Sequence, residues 1–303
     1  RLVASAVIIL FFTVYTASGL VAGGKLFATA FSADYQVGVI ATVSIVVLYT
    51  IMGGFLAVSL TDFVQGIIML MALVAVPIVA YLGIPESSSG LSLSAQISAF
   101  EFNSDWLAML ALLSWGLGYF GQPHIIVRFM AISSHTRLPQ ARMVGINWMI
   151  VSIVGALMTG IVGFLYIKST GAELKDPETI FIHLSQVLFH PLIAGWLLAA
   201  ILAAVMSTIS SQLLVSSSSL VEDVYKVYFH TELDSRKALL ISRLCVLAVA
   251  CCATAIALSG TTGVLKLVSS AWAGFGATFG PVILFSLWWK SMTERAALAG
   301  IVT

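Results

Sequence analysis

Apolar residues run in long blocks separated by short polar stretches. The blocks cover roughly residues 2–24, 37–53, 61–83, 106–122, 140–167, 193–221, 238–258 and 264–289. Each is close to the roughly 20 residues that a helix needs to cross a bilayer, so the pattern predicts about eight transmembrane helices. A ninth block begins near residue 296. Ser32–Tyr35 and Ser87–Gly90 read as polar turns, and Lys168–Glu178, Thr231–Lys237, Thr261–Gly263 and Lys290–Arg295 as further breaks. Gly53-Gly54 is the weakest break, so the limit between the second and third helices is loosely set. Between Pro177 and His190, the residues Ile180, Phe181, Leu184, Val187 and Leu188 share one helical face. That spacing predicts a short interfacial helix over 177–190, either a cap over a pathway or a helix resting in the headgroups.

Composition narrows the class. Of 303 residues, 60% are hydrophobic and 9% are charged, against about 25% charged in soluble domains. Mean hydropathy is +1.06. So few charges exclude an ordinary soluble enzyme and a disordered chain. A net charge of +1 leaves no basic surface for nucleic acid. An all-α polytopic membrane protein in a lipid bilayer remains. Cys245, Cys251 and Cys252 share one apolar block and read as buried structural thiols. No HExxH, GxSxG, Walker or GxGxxG pattern is present, so no enzyme is expected. The chain starts at Arg1 without Met and stops inside the run Ala296–Val302, so a fragment of a longer protein is expected.

Positive charge orients the helices. One set of connections carries Arg128, Arg137, Arg142, Lys226, Arg236, Lys237, Lys290 and Arg295. The other carries Lys25, Lys168, Lys175 and Lys266, with Glu86, Glu101, Asp105, Glu173, Asp176 and Glu178. Residue 1 is therefore expected on the cytoplasmic side.

Three features exceed what a passive bundle needs. Asp62, in Ser59-Leu60-Thr61-Asp62, is an acid beside an apolar run without basic sequence neighbours. It reads either as a membrane-depth functional acid or as a helix N-terminal carboxylate favoured by the macrodipole. The run Trp115–Pro123 (WGLGYFGQP) holds three glycines and a proline, which predicts a broken helix. Trp115 and Tyr119 share a face there and would wall an apolar substrate, or form an interfacial aromatic belt. In Ala203–Gln212, Ser207, Thr208, Ser210 and Ser211 fall within an arc of about 160°. Hydroxyl and carbonyl oxygens suit a small alkali cation, while small hydroxyl residues also serve plain helix packing.

Six ordered runs carry a resemblance: Phe11–Gly23, Gly53–Gln65, Trp115–Met130, Ala200–Leu214, Glu222–Lys226 and Ala271–Phe285. Together they resemble the sodium:solute symporter family, nearest its bacterial proline-carrying members. The resemblance implies a five-plus-five inverted-repeat transporter in the bacterial inner membrane. Residues 1–83 would be the last three helices of the first repeat, and 106–289 the complete second repeat. The missing discontinuous first helix would supply part of the ion site. Carried over, Ala204 (by its carbonyl), Ser207 and Thr208 match the main sodium site. Asp62, Ser210 and Ser211 match a second sodium position. Trp115, Tyr119, Pro123 and Tyr15 match the substrate side. The implied function is sodium-driven import of a small solute, L-proline foremost. Another amino acid, an organic acid or a sugar is the first alternative, and a transporter-like sensor module of a signalling kinase the second. Exposed helix N-termini are expected to meet the substrate carboxylate.

Overall fold

The computed structural model describes residues 1–85, 106–229, 234–260 and 263–302. The turn Ser87–Gly90, the acids Glu86, Glu101 and Asp105, Thr231, Thr261 and Thr262 lie outside the described residues. Every regular element described is helical. That is what lipid demands, because a helix satisfies its own backbone polar groups.

The first helix, α1 (Leu2–Phe31), ends where Ser32 turns left-handed at φ 53°. Helix α2 (Tyr35–Leu82) consists of two helical limbs that meet without a loop at Gly54, whose φ of 57° and ψ of −157° suit only glycine. Its two limbs lie side by side in the sense of the membrane. At one end Tyr35 packs on Gly24 and donates its hydroxyl to the Ala257 carbonyl at 2.9 Å. At the other end Gly83 meets Leu188, on the helix whose Gln186 amide reaches the Ala30 carbonyl at 3.1 Å. Both ends of α2 therefore reach the same end of the bundle, and Gly54 lies at the opposite end. The weak sequence break is real, but it is a one-residue elbow and not a loop.

Helix α3 (Trp106–Gly121) and the short α4 (Pro123–Met130) form one broken crossing. Next come α5 (Leu138–Thr170), α6 (Ile180–Leu188), α7 (Pro191–Ser219), a π-helical stretch at Leu220–Tyr225, and α8 (Lys226–Phe229). The chain closes with α9 (Ser235–Leu258), α10 (Val264–Thr278), α11 (Gly280–Trp288) and α12 (Glu294–Val302). Among the described residues, six helical runs are long and apolar enough to cross a membrane by length and composition. Folding of α2 at Gly54 and pairing of α3 with α4 bring the crossings to the eight that the pattern predicts.

Helix α1 lies antiparallel to α7 at the centre. Thr16 donates to Gln212 Oε1 at 2.9 Å, Gly19 is pressed on Ile209, and Leu26 clusters with Leu198. Ala17, Leu20, Ile209 and Leu213 are fully buried in this seam. Outside it, α5 runs parallel to the second limb of α2. The Trp148 indole donates to the Gly66 carbonyl at 3.1 Å, and Gly155 rests on the Leu73 backbone. Large apolar side chains such as Leu56, Val144, Val154 and Leu157 face outward, as a lipid-facing surface requires.

Two expectations change. The cysteines are free thiols, but Cys251 and Cys252 are exposed on α9 rather than buried. Helix α6 packs into the bundle: Ile182 and Leu184 are buried, whereas Val187 is 55% exposed. Contact with Leu26 and Leu198 draws Ile182 inward, so tertiary packing shifts the buried face from the one that periodicity marks.

Candidate ion and substrate site

The glycines of WGLGYFG do not break the helix. Gly118 and Gly121 remain helical and let α3 press on α10. A Cβ on Gly118 would meet the Trp272 ring at 2.7 Å, and one on Gly121 would collide with the Phe275 carbonyl. The break falls at Gln122, which is extended (φ −87°, ψ 105°) and fully buried, and Pro123 opens α4 at its first turn. Pro123 lacks an N–H and so costs nothing at that position.

This close approach places Trp272 at the hub of an aromatic cluster. Trp115 stacks on it at 5.8 Å between ring centroids with an interplanar angle of 25°. Tyr119 meets it edge-on at 4.8 Å, and Tyr15 of α1 at 6.4 Å. His124, after Pro123, lies against Phe12 at 5.4 Å and Tyr15 at 6.3 Å. A cavity of about 360 Å³ opens beside the wall, lined by Trp115, Ser269, Trp272, Ala273, Gly276 and Pro281. The structure thus brings Tyr15, Trp115 and Tyr119 together around Trp272, which sequence reasoning does not single out, while Pro123 lines a second cavity with Val127. Trp272 lies in the run Ala271–Phe285 but has no polar or spacing signal of its own.

The hydroxyl residues lie on α7, the helix that packs along α1. Ser207 Oγ and Thr208 Oγ1 both donate to the Ala204 carbonyl, at 3.1 and 2.9 Å. One turn on, Ser210 and Ser211 both donate to the Ser207 carbonyl, at 3.1 and 2.9 Å. Such back-bonding is common for hydroxyls in helices; Thr13, Thr42 and Thr159 do the same. Two hydroxyls also converge on one carbonyl at Tyr166 and at Lys266; α7 differs in having two such carbonyls in succession, Ala204 and Ser207. All are hard oxygen donors of the kind an alkali cation accepts.

Asp62 does have a basic partner, 66 residues away. Arg128 Nη2 on α4 donates to Asp62 Oδ2 and, at 2.7 Å, to Ser211 Oγ. Ser211 Oγ lies 3.4 Å from the same carboxylate oxygen. The Asp62 side chain is only 14% exposed, and its Oδ1 is buried without a hydrogen-bond partner among the described residues. The sequence reading places Arg128 in an inner connection and sees no base beside the substrate residues; the structure places it on α4, five residues after Pro123. Asp62 and Ser211 do come together, at the α4 ion pair; Ser210 is fully buried one position before and donates to the Ser207 carbonyl.

Between these groups and the inner end lies a larger cavity of about 730 Å³. Pro123 and Val127 line it above, and Ser217, Ser219, Glu222 and Asp223 below. At the outer end Lys25 bridges Asp176 and Glu178, at 2.5 and 2.6 Å. Glu178 also accepts from the first backbone amides of α10, Val264 at 3.3 Å and Leu265 at 3.1 Å. One carboxylate therefore ties α1, the α6 segment and the helix bearing Trp272.

The family profile "Sodium:solute symporter family" matches residues 1–303. A "Sodium/proline symporter" of Staphylococcus aureus is 51% identical over 100% of this chain and 60% of that protein, and so is the one from strain JH9. The chain thus spans about 60% of the length of these curated relatives. Among solved structures, one titled "Substrate-bound outward-open state of a Na+-coupled sialic acid symporter reveals a novel Na+-site" superposes with a TM-score of 0.81. It is 20% identical, and the match covers 100% of this chain and 66% of that one. That likeness gives the fold, and the full-length family match gives the kinship: this chain belongs to the sodium:solute symporter family.

Proposed function

We propose that this chain forms most of the core of a sodium-coupled symporter that imports L-proline across the bacterial inner membrane by alternating access. The 51% identity to a sodium/proline symporter, sustained over the whole chain, carries the choice of proline. The local chemistry agrees with it. A pyrrolidine ring is small and apolar, and the Trp115–Trp272–Tyr119–Tyr15 wall offers faces and edges of matching size. Pro123 begins α4, and although Ile125 and Ile126 already donate to the Gln122 carbonyl, the positive end of a helix dipole lies beside the wall to meet a carboxylate.

Sodium is cargo and driving ion. Its main ligands on this chain are the Ala204 carbonyl, Ser207 and Thr208; a second position uses Asp62, Ser210 and Ser211. Residues 1–83 supply three helices of the first repeat and 106–289 the second, with 177–190 as the outer cap. Sodium on α7 favours the state in which the wall is ordered, and bound substrate favours sodium in return, as linkage requires. The Lys25–Glu178 clasp holds the outer segment against α10. The cavity between Pro123 and Asp223 supplies the inward exit.

The deciding experiment is uptake of labelled proline by the complete protein in proteoliposomes. A sodium gradient is imposed, and other amino acids, organic acids and sugars compete. Uptake without sodium, or stronger competition from another solute class, overturns the assignment.

A further inference from the structure

The Arg128–Asp62 pair has a consequence for how sodium drives this protein. The Asp62 carboxylate is mostly buried, and one of its oxygens is held by Arg128 Nη2, which also holds Ser211 Oγ. The other oxygen, Oδ1, is buried with no hydrogen-bond partner among the described residues. A buried carboxylate with orphan lone pairs can accept a cation. Yet the seat has charge for only one. A sodium ion coordinated by Asp62 and Ser211 would lie within a few ångströms of the guanidinium, on oxygens that Arg128 now occupies.

We propose that Arg128 and sodium occupy the Asp62–Ser211 oxygens in alternation, so that Arg128 is a tethered cation that sodium must displace. The inference rests on Asp62, Ser210 and Ser211 being a sodium position, and adds what holds that position before the ion arrives. The arrangement of α4 makes the exchange useful. This helix has eight residues, none of them buried, and starts at the break before Pro123. His124, one turn before Arg128, touches the aromatic wall through Phe12 and Tyr15. Release of Arg128 frees α4 from α2 and α7, and its other end shares the substrate wall. Sodium arrival at Asp62 is thereby transmitted to the broken helix through one side chain, without a change at the main sodium ligands.

The experiment titrates sodium into the purified full-length protein without substrate, at constant ionic strength with choline, and follows tryptophan fluorescence and unfolding temperature. The component of the response that Asp62→Asn abolishes reports this position. Arg128→Gln is expected to lower the half-saturating sodium of that component about tenfold, the factor for a seat that the guanidinium holds nine-tenths of the time. Arg128→Lys keeps a cation for Asp62 and is expected to lie between Arg128→Gln and wild type. In a cysteine-free background, Arg128→Cys modified with an aminoethyl methanethiosulfonate regains a tethered cation and should need more sodium than the same variant carrying a neutral methyl group. Unchanged or raised half-saturating sodium in Arg128→Gln overturns the exchange. So does an Arg128→Lys value above wild type, or equal sodium demand for the charged and neutral adducts. If Asp62→Asn removes no component, the second sodium position itself fails and the exchange fails with it. If it removes one that Arg128→Gln leaves unshifted, only the exchange fails.

Discussion

Glu178→Ala should loosen the outer end of the bundle by a calculable amount. The substitution removes one ion pair with Lys25 and the acceptor for two amides at the start of α10. Lys25 keeps Asp176, so no charge is stranded. The side chains of Lys25, Asp176 and Glu178 are 25%, 38% and 31% exposed, so water reaches the pair. A pair of that kind contributes about 0.2–1 kcal/mol, and loss of a helix cap costs about 1 kcal/mol. The expected loss is about 1–2 kcal/mol, or roughly 1–3 °C in unfolding temperature for a chain of this size. Glu178→Gln keeps an oxygen for the α10 amides and should lose about half as much. The assay is thermal unfolding of the full-length protein in detergent across pH. Hydrogen bonding to Lys25 holds the Asp176 carboxyl below its ordinary range. Burial alone would raise Glu178, but the Lys25 ammonium and the Leu265 and Val264 amides hold it below its ordinary value. Groups so depressed stabilise the fold fully above the ordinary carboxylate range, and the contribution fades as pH falls through their folded values. The gap between wild type and Glu178→Ala should therefore be flat from about pH 8 to about pH 5.5 and shrink below about pH 4. A gap that is absent at pH 7, or undiminished at the acid end, refutes the clasp.

Three further outcomes follow from the site. Thr208→Ala should raise the sodium concentration for half-maximal uptake in proteoliposomes, since it removes one of two hydroxyls on the Ala204 carbonyl; an unchanged sodium dependence removes Thr208 from the ion site. Trp272→Ala should raise the KM for the transported solute about three- to tenfold, the loss of one aromatic contact of about 0.5–1.5 kcal/mol with the solute, and it also removes the ring on which Tyr15, Trp115 and Tyr119 rest, whereas Trp272→Phe should retain part of the affinity. Gly121→Ala sets a Cβ against the Phe275 carbonyl, so α3 and α10 must part; a loss of about 1–3 kcal/mol with weakened substrate binding and unaltered sodium binding is expected, and wild-type stability refutes the close approach.

Most of the fold was legible because lipid makes the rule simple. A block of about 20 apolar residues has little choice but to be a helix, and the eight blocks correspond to eight crossings. The misreadings have local physical causes. The glycines of WGLGYFG look like helix breakers, but Gly118 and Gly121 are present so that Trp272 and the Phe275 backbone can come close. Only the partner surface shows this, and the partner is about 150 residues away. The actual break needs Gln122 and Pro123. At Gly53-Gly54 the dipeptide signals a turn, but not that the helix resumes immediately after a single positive φ. In α6, periodicity finds the helix and misses the buried Ile182, because a face is defined by what covers it.

Arg128 shows how a partner can be inferred although its position cannot. Asp62 begins an apolar limb with no base nearby in sequence, and an ionised carboxylate at that depth is tolerated only with a counter-charge. Scarcity of charge then limits the search: the chain holds 14 Lys and Arg in all. Most sit in connections where water already serves them. Arg128 differs in lying within a proline-started segment too short to be a crossing of its own, and that segment continues from the helix bearing Trp115 and Tyr119. A base there cannot be a loop charge unless α4 leaves the membrane directly after the break. The broken-helix reading and the loop-charge reading of Arg128 are therefore in tension within the sequence itself. The tension resolves only if the arginine turns inward to meet an acid, and Asp62 is the acid that lacks one.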